Sequence, residues 1–200
     1  MRQTKTVKMA QTAILAAIIL VMSFTPLGYL RTAGLEVSLI TIPVAIGAMV
    51  VGPEAGAFLG LLFGATSFYQ CFGMSPFGAA LLGINPFFTF LVCVPTRMLM
   101  GWLTGWIFKA LYRLDRSRTI SYFIGGLLAA VLNTAFFMGM LMLCFWESAY
   151  IQELNTAMGG LSMMAFLAAF VGVNGLLEAP SSCILGGIIS KALDKIVKRA

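Results

Sequence analysis

Long apolar runs alternate along the chain with short polar breaks, and the runs have the length a bilayer demands. A hydrocarbon core about 30 Å thick takes roughly 20 residues of helix, so each run of that order predicts a transmembrane span. Six are predicted, over residues 7–24, 37–51, 54–69, 87–112, 119–145 and 161–189. Their ends follow local punctuation: the first run stops at Thr25-Pro26-Leu27-Gly28, and the second turns back through Gly52-Pro53-Glu54, where proline suits a first helical turn. Residues 70–86, with Gly73, Ser75-Pro76, Gly78, Gly83 and Asn85-Pro86, read as a structured or re-entrant loop. Residues 146–160 carry Glu147, Gln152, Glu153 and Asn155 and read as an exposed loop, with Trp146 and Tyr150 at the membrane interface. The expected fold is an all-α integral membrane protein, a bundle of six transmembrane helices forming a single domain over 1–200.

Composition agrees. The chain is 60% hydrophobic and 10% charged, with a mean hydropathy of +0.96, whereas soluble domains carry about 25% charged residues. The net charge of +6 does not point to nucleic acid, because the basic residues sit in the gaps between apolar runs. Eleven of the thirteen fall in three groups: Arg2, Lys5 and Lys8; Lys109, Arg113, Arg116 and Arg118; Lys191, Lys195, Lys198 and Arg199. Six spans place all three groups on one side, and retained lysine and arginine mark the cytoplasmic face. Both termini are therefore expected in the cytoplasm, in a multi-pass protein of a bacterial inner membrane. The first run follows a basic start but no small-residue cleavage site, so it is expected to remain as a helix.

The residue inventory narrows the chemistry. The chain has no histidine, which removes the usual general base and the commonest metal ligand. Cys71, Cys93, Cys144 and Cys183 lack metal-type spacing and are expected to behave as small hydrophobes without a structural disulfide. No phosphate-binding loop is present, so ATP-driven work would need other subunits, and no inverted repeat suggests a stand-alone transporter. No catalytic residue, metal or cofactor is expected, and a membrane enzyme would have only scattered glutamates to work with.

Two patterns remain. Gly52, Gly56, Gly60 and Gly64 recur at intervals of four, as do Gly101 and Gly105, which puts each set near one helix face for close packing. Ala13 and Ala17 make a similar pair on the first helix, and their smooth face suits either the bundle itself or a helix of another protein. The second pattern is polar. A charge at mid-bilayer costs at least about 2.5 kcal/mol, so Arg97, about 15 Å into its span, needs a partner or a wet cavity. Asn174 and Glu178 share a helix face at i and i+4, and Asn133 lies at comparable depth. These four are expected to converge, either as an Arg97–Glu178 ion pair completed by amides, in a structural scaffold, or as a solute pocket. Glu178 precedes Ala179-Pro180, where a kink is expected. Arg31, Glu36, Gln70, Ser75, Asn85 and Asn155 fall in outer loops, as solvated positions or as cover for a pocket.

Residues in order along nearly the whole chain resemble one family. They are Ala13-x-x-x-Ala17, Thr41-Ile42-Pro43-Val44-Ala45-Ile46-Gly47, Gly52-Pro53-Glu54-Ala55-Gly56, Leu62-Phe63-Gly64-Ala65-Thr66-Ser67, Ser75-Pro76-Phe77 and Asn174-Gly175-Leu176-Leu177-Glu178. Together they resemble the substrate-binding S components of energy-coupling factor (ECF) vitamin transporters, and the branch associated with pantothenate uptake. The resemblance implies that the Ala13/Ala17 face docks on a transmembrane coupling protein driven by two cytoplasmic ATPases. It also implies an outward pocket, built by the last three spans and capped by the outer connections, that takes a small vitamin. Arg97, Asn133, Asn174 and Glu178, with Ser75 and Asn85 above them, are the residues expected to bind it. Pantothenate, with one carboxylate, hydroxyls and amides, suits a deep arginine and asparagines; riboflavin, folate or another small solute stays open.

Overall fold

The computed structural model describes residues 5–32, 35–115, 117 and 119–199, with side chains described throughout except at 30–32, 35–37, 170, 173, 174, 176, 177 and 197–199. Helices dominate: α1 (Lys5–Ser23), α2 (Thr41–Val50), α3 (Pro53–Gln70), α4 (Pro76–Ile84), α5 (Pro86–Leu114), α6 (Ile120–Phe145), α7 (Ala149–Ala157), α8 (Met163–Ser181) and α9 (Gly187–Arg199). Among them α1, α5 and α6 are long and apolar enough to cross a membrane. Their outward side chains include Ile14, Val21 and Leu143, all exposed and all apolar, as lipid contact requires. By contrast α2, with ten residues, reaches only about 15 Å.

Four stretches differ from the expectation. The polar break after α1 carries an antiparallel hairpin, β1 (Tyr29–Thr32) with β2 (Leu35–Ser38), whose backbone register sets Arg31 opposite Glu36. Those two side chains lie outside the described residues. The supposed loop over 70–86 contains α4, because Ser75 accepts from the Gly78 amide (3.1 Å) and Pro76 occupies the first turn. Serine followed by proline begins this helix rather than breaking one. The supposed loop over 146–160 contains α7, whose Ile151 and Asn155, one turn apart, are buried while its other face stays polar. Trp146 and Tyr150 pack inward, Trp146 edge-on to Phe166 at 5.8 Å and Tyr150 against Phe77 at 6.0 Å.

The last run is divided. Pro180 lies inside α8, and a π-helical turn, Ser182–Gly186, links α8 to α9. Proline takes one donor from the helical ladder, and the wider turn that follows absorbs the misfit. The Ser182 carbonyl of this turn rests on Gly126 of α6, where a Cβ would collide with it.

The glycine face of α3 packs on α5 backbone to backbone, the most extensive helix contact in the molecule. A Cβ at Gly64 would lie 2.7 Å from the Val94 Cα, one at Gly105 2.6 Å from the Pro53 Cα, and one at Gly60 would strike the Arg97 carbonyl. Only glycine permits this approach, and in lipid such close packing is what holds helices together. At the turn before α3, Gly52 has φ 134°, a conformation side chains rarely adopt. Gly60→Val is expected to destabilise the fold by about 3 kcal/mol, the upper part of the overpacking range, since the obstacle is backbone. A thermal unfolding series in detergent with Gly60→Ala as the milder step checks this; equal midpoints for all three proteins would contradict it.

Polar bonds tie the helix ends. Ser23 of α1 donates to Thr66 of α3 (3.0 Å), and the Gln70 carboxamide donates to the Ser23 carbonyl. Between α5 and α6, Asp115 accepts from the amide and hydroxyl of Ser121 (2.9 and 2.7 Å) and from those of Ser117 (2.9 and 2.8 Å). The Ser121 bonds, with those of Ser117 behind them, hold the Asp115 carboxyl well below the usual carboxylate range. A lowered folded value means that this contribution is present at neutral pH and fades only as the solution becomes strongly acid.

Candidate functional site

Two apolar clusters bracket a polar level in the bundle. One gathers residues including Leu59, Phe63, Met100 and Ala129; the other gathers Val92, Met138, Leu141, Phe145, Ile151 and Phe166. Along α5, Arg97 lies between Val92 and Met100; along α6, Asn133 lies between Ala129 and Met138. A cavity of about 100 Å³ opens at this level. Its wall draws on the hairpin, α3, α4, α5, α6 and α8, and includes Arg97, Asn133 and Glu178.

Arg97 is 6% exposed. Its Nη1 donates to the Cys93 carbonyl (3.0 Å), and its guanidinium lies between two rings, 4.6 Å from the Phe63 centroid and 4.9 Å from that of Phe137. The rings fix the plane of the fork and attract its charge. Its Nε has no hydrogen-bond partner among the described residues. A buried donor left so costs about 1 to 3 kcal/mol, which a ligand oxygen would recover.

Glu178 is 4% exposed, and its Oε1 accepts from the Thr41 hydroxyl (2.7 Å) and the Asn133 Nδ2 (2.9 Å). Arg97 therefore spends its observed hydrogen bond on its own helix, and the carboxylate is held by a hydroxyl and an amide. The Asn133 Oδ1 and the Ser38 hydroxyl lack partners among the described residues, and both residues line the cavity. Together these groups offer a cation at one position and acceptors at another, suited to a solute that carries both a carboxylate and hydroxyl donors.

The sequence-based set is thus partly assembled here. Arg97, Asn133 and Glu178 share the cavity, and Ser75 lines it while capping α4. Asn85 lies outside the lining and caps α5, accepting from the amides of Phe87 (3.1 Å) and Phe88 (3.2 Å). The Asn174 side chain lies outside the described residues. Gln70 and Asn155 are buried rather than solvated, and Asn155 brackets Leu161 through both its backbone groups (2.9 and 3.0 Å). Thr41, Ser38, Phe63 and Phe137 join the site without being marked for it by the sequence. Thr41 stood in the sequence as a hydroxyl beginning an apolar helix, but sixteen phenylalanines offer no sign of which two flank an arginine.

On α1, Ala13 and Ala17 are exposed and floor a separate, wider groove of about 840 Å³. Phe58, Trp102 and Trp106 wall it, and Lys109 sits over the Trp106 ring at 4.9 Å.

A family model described as "ECF transporter, substrate-specific component" matches residues 7–190. A protein of Leuconostoc mesenteroides named pantothenate transporter PanT is 29% identical over 208 aligned residues, covering 100% of this chain and 98% of that protein.

Proposed function

Since the chain belongs to the family of ECF-transporter substrate-specific components, we propose that it binds pantothenate from outside the cell and is the specificity subunit of an ATP-driven importer. The observation that carries the solute is Arg97, a cavity-lining buried guanidinium held between two rings, with one donor unpartnered among the described residues. In this reading the pantothenate carboxylate meets Arg97, and its hydroxyls donate to Glu178. The likeness to a protein named for pantothenate transport supports the same solute.

The chain is one domain in a bacterial cell membrane. Its six passages are α1, the short α2 completed by the residues that flank it, α3, α5, α6 and the helical run from α8 into α9, with both termini in the cytoplasm, where the three basic groups belong. It carries no catalysis itself. Energy comes from two cytoplasmic ATPases through a transmembrane coupling protein, whose helix seats in the groove floored by Ala13 and Ala17; small residues there allow close approach in lipid.

The test is native mass spectrometry of the protein purified in mild detergent, then titration with pantothenate, riboflavin and folate. Pantothenate bound in preference to both others is the expected result; tight riboflavin or folate binding with none of pantothenate overturns the solute assignment. Glu178→Gln separates the two halves of the site. It keeps an acceptor for Thr41 but removes the charge that receives solute hydroxyls, so affinity is expected to fall about tenfold, as loss of a charge-assisted hydrogen bond does. Calorimetric titration of the folded variant checks this.

A further inference from the structure

Two thiols meet at the wall of the same cavity. Cys71 caps the C-terminus of α3, and Cys93 stands in the second turn of α5. Both line the cavity, both are 4% exposed, and both belong to one buried cluster. Around them lie Val94, Phe68 and Leu82, and the Arg97 guanidinium stands beside Cys93. Gly78 of α4 presses on the other side of Cys71, where a Cβ would come 2.6 Å from its sulfur. The Cys71 thiol also reaches the Ser67 carbonyl (3.4 Å). Cys144 and Cys183 do not line the cavity.

We infer that Cys71 and Cys93 are an oxidisable dithiol reached through the cavity, a site at which hydrogen peroxide closes a disulfide between the α3–α4 turn and α5. The thiolate of one cysteine attacks a peroxide oxygen and breaks the O–O bond. The hydroxide released takes up that thiol's proton as water, leaving a sulfenic acid. The second thiol attacks the sulfenic sulfur, the S–O bond breaks, and a second water leaves with the remaining proton. Two sulfurs lose two electrons and the peroxide gains them. Two thiols buried in one cluster are close neighbours, so capture by the second outruns further oxidation of the first. A cavity open to the outside would meet the oxidants that a reducing cytoplasm removes.

The disulfide would pin the turn that presents Ser75 and Gly78 to the cavity. Cys93 is also one helical turn from Arg97, so a solute seated on Arg97 would cover the thiols. That last consequence rests on the solute reading above, whereas the dithiol does not.

The test uses the full chain in nanodiscs, in a Cys144→Ser, Cys183→Ser background, treated with hydrogen peroxide. Expected are the loss of both remaining thiols to maleimide, an intact mass lower by two hydrogens, a Cys71–Cys93 cross-link on peptide mapping, and recovery with dithiothreitol. Adding Cys71→Ser should give a dimedone-reactive sulfenic acid on Cys93 and no cross-link; Cys93→Ala serves as the reciprocal variant should the first fail to fold. Thiols that remain alkylatable, or that oxidise separately to sulfinic acids without a cross-link, overturn the proposal. A disulfide whose rate of formation pantothenate does not slow upholds the dithiol and counts against the solute reading alone.

Discussion

Arg97→Ala loses pantothenate. Truncating one member of a buried, hydrogen-bonded charge pair costs about 2 to 5 kcal/mol, mostly because the partner charge stays buried and unpaired. Here the unpaired charge would be the solute carboxylate, so affinity is expected to fall by about 30-fold or more. The protein itself should tolerate the change better than a buried ion pair would, because Arg97 donates within its own helix, to the Cys93 carbonyl, rather than to Glu178. Arg97→Lys provides the finer comparison. It restores a charge but not the planar fork that Phe63 and Phe137 hold, so it should recover only part of the affinity. Titration and thermal unfolding on the same preparations distinguish the outcomes: unchanged affinity in a folded Arg97→Ala protein would remove Arg97 from the site, and wholesale unfolding of both variants would make its role structural.

Ala13→Trp should stop uptake while leaving binding intact. Ala13 is exposed, and the groove it floors opens beside α3 and α5 rather than on the solute cavity. An indole there would fill the space that a partner helix needs, whereas substitution at an exposed position normally shifts stability by no more than about 0.5 kcal/mol. Uptake of labelled pantothenate in cells supplying the ATPase module is expected to drop to background, with detergent-phase affinity unchanged and co-purification of the coupling protein lost. Normal uptake by Ala13→Trp together with Ala17→Trp would rule out this face as the docking surface. The two predictions are complementary, since one variant loses the solute and the other loses the machine.

The residues that mattered differed in how openly the sequence declared them. Arg97 and Glu178 stood out because a charge within an apolar run has few destinations, and the cavity holds both. The glycine spacing likewise announced the α3–α5 contact, since four residues make nearly one turn. Thr41 was harder to see, as a hydroxyl at the start of a helix ordinarily bonds the local backbone. Instead it bonds Glu178 across 137 positions of sequence. Asn85 shows the opposite case, an amide whose oxygen is taken up by the first amides of α5.

Hydropathy and capping are local properties, so the sequence by itself determined membrane residence, the long helices α1, α5 and α6, and their approximate ends. Helices α4 and α7 escaped because glycine, proline and polar residues mark helix starts as readily as loops. Tertiary structure alone decided which groups face one another. Each residue turns a helix by about 100°, so small differences in rotation and tilt decide whether a side chain meets lipid, a neighbour or a cavity. Packing at that level sent Arg97 between two phenylalanine rings, left its Nε unpartnered among the described residues, and gathered Cys71 and Cys93 into one cluster, because side-chain convergence belongs to the assembled bundle and not to any one segment of it.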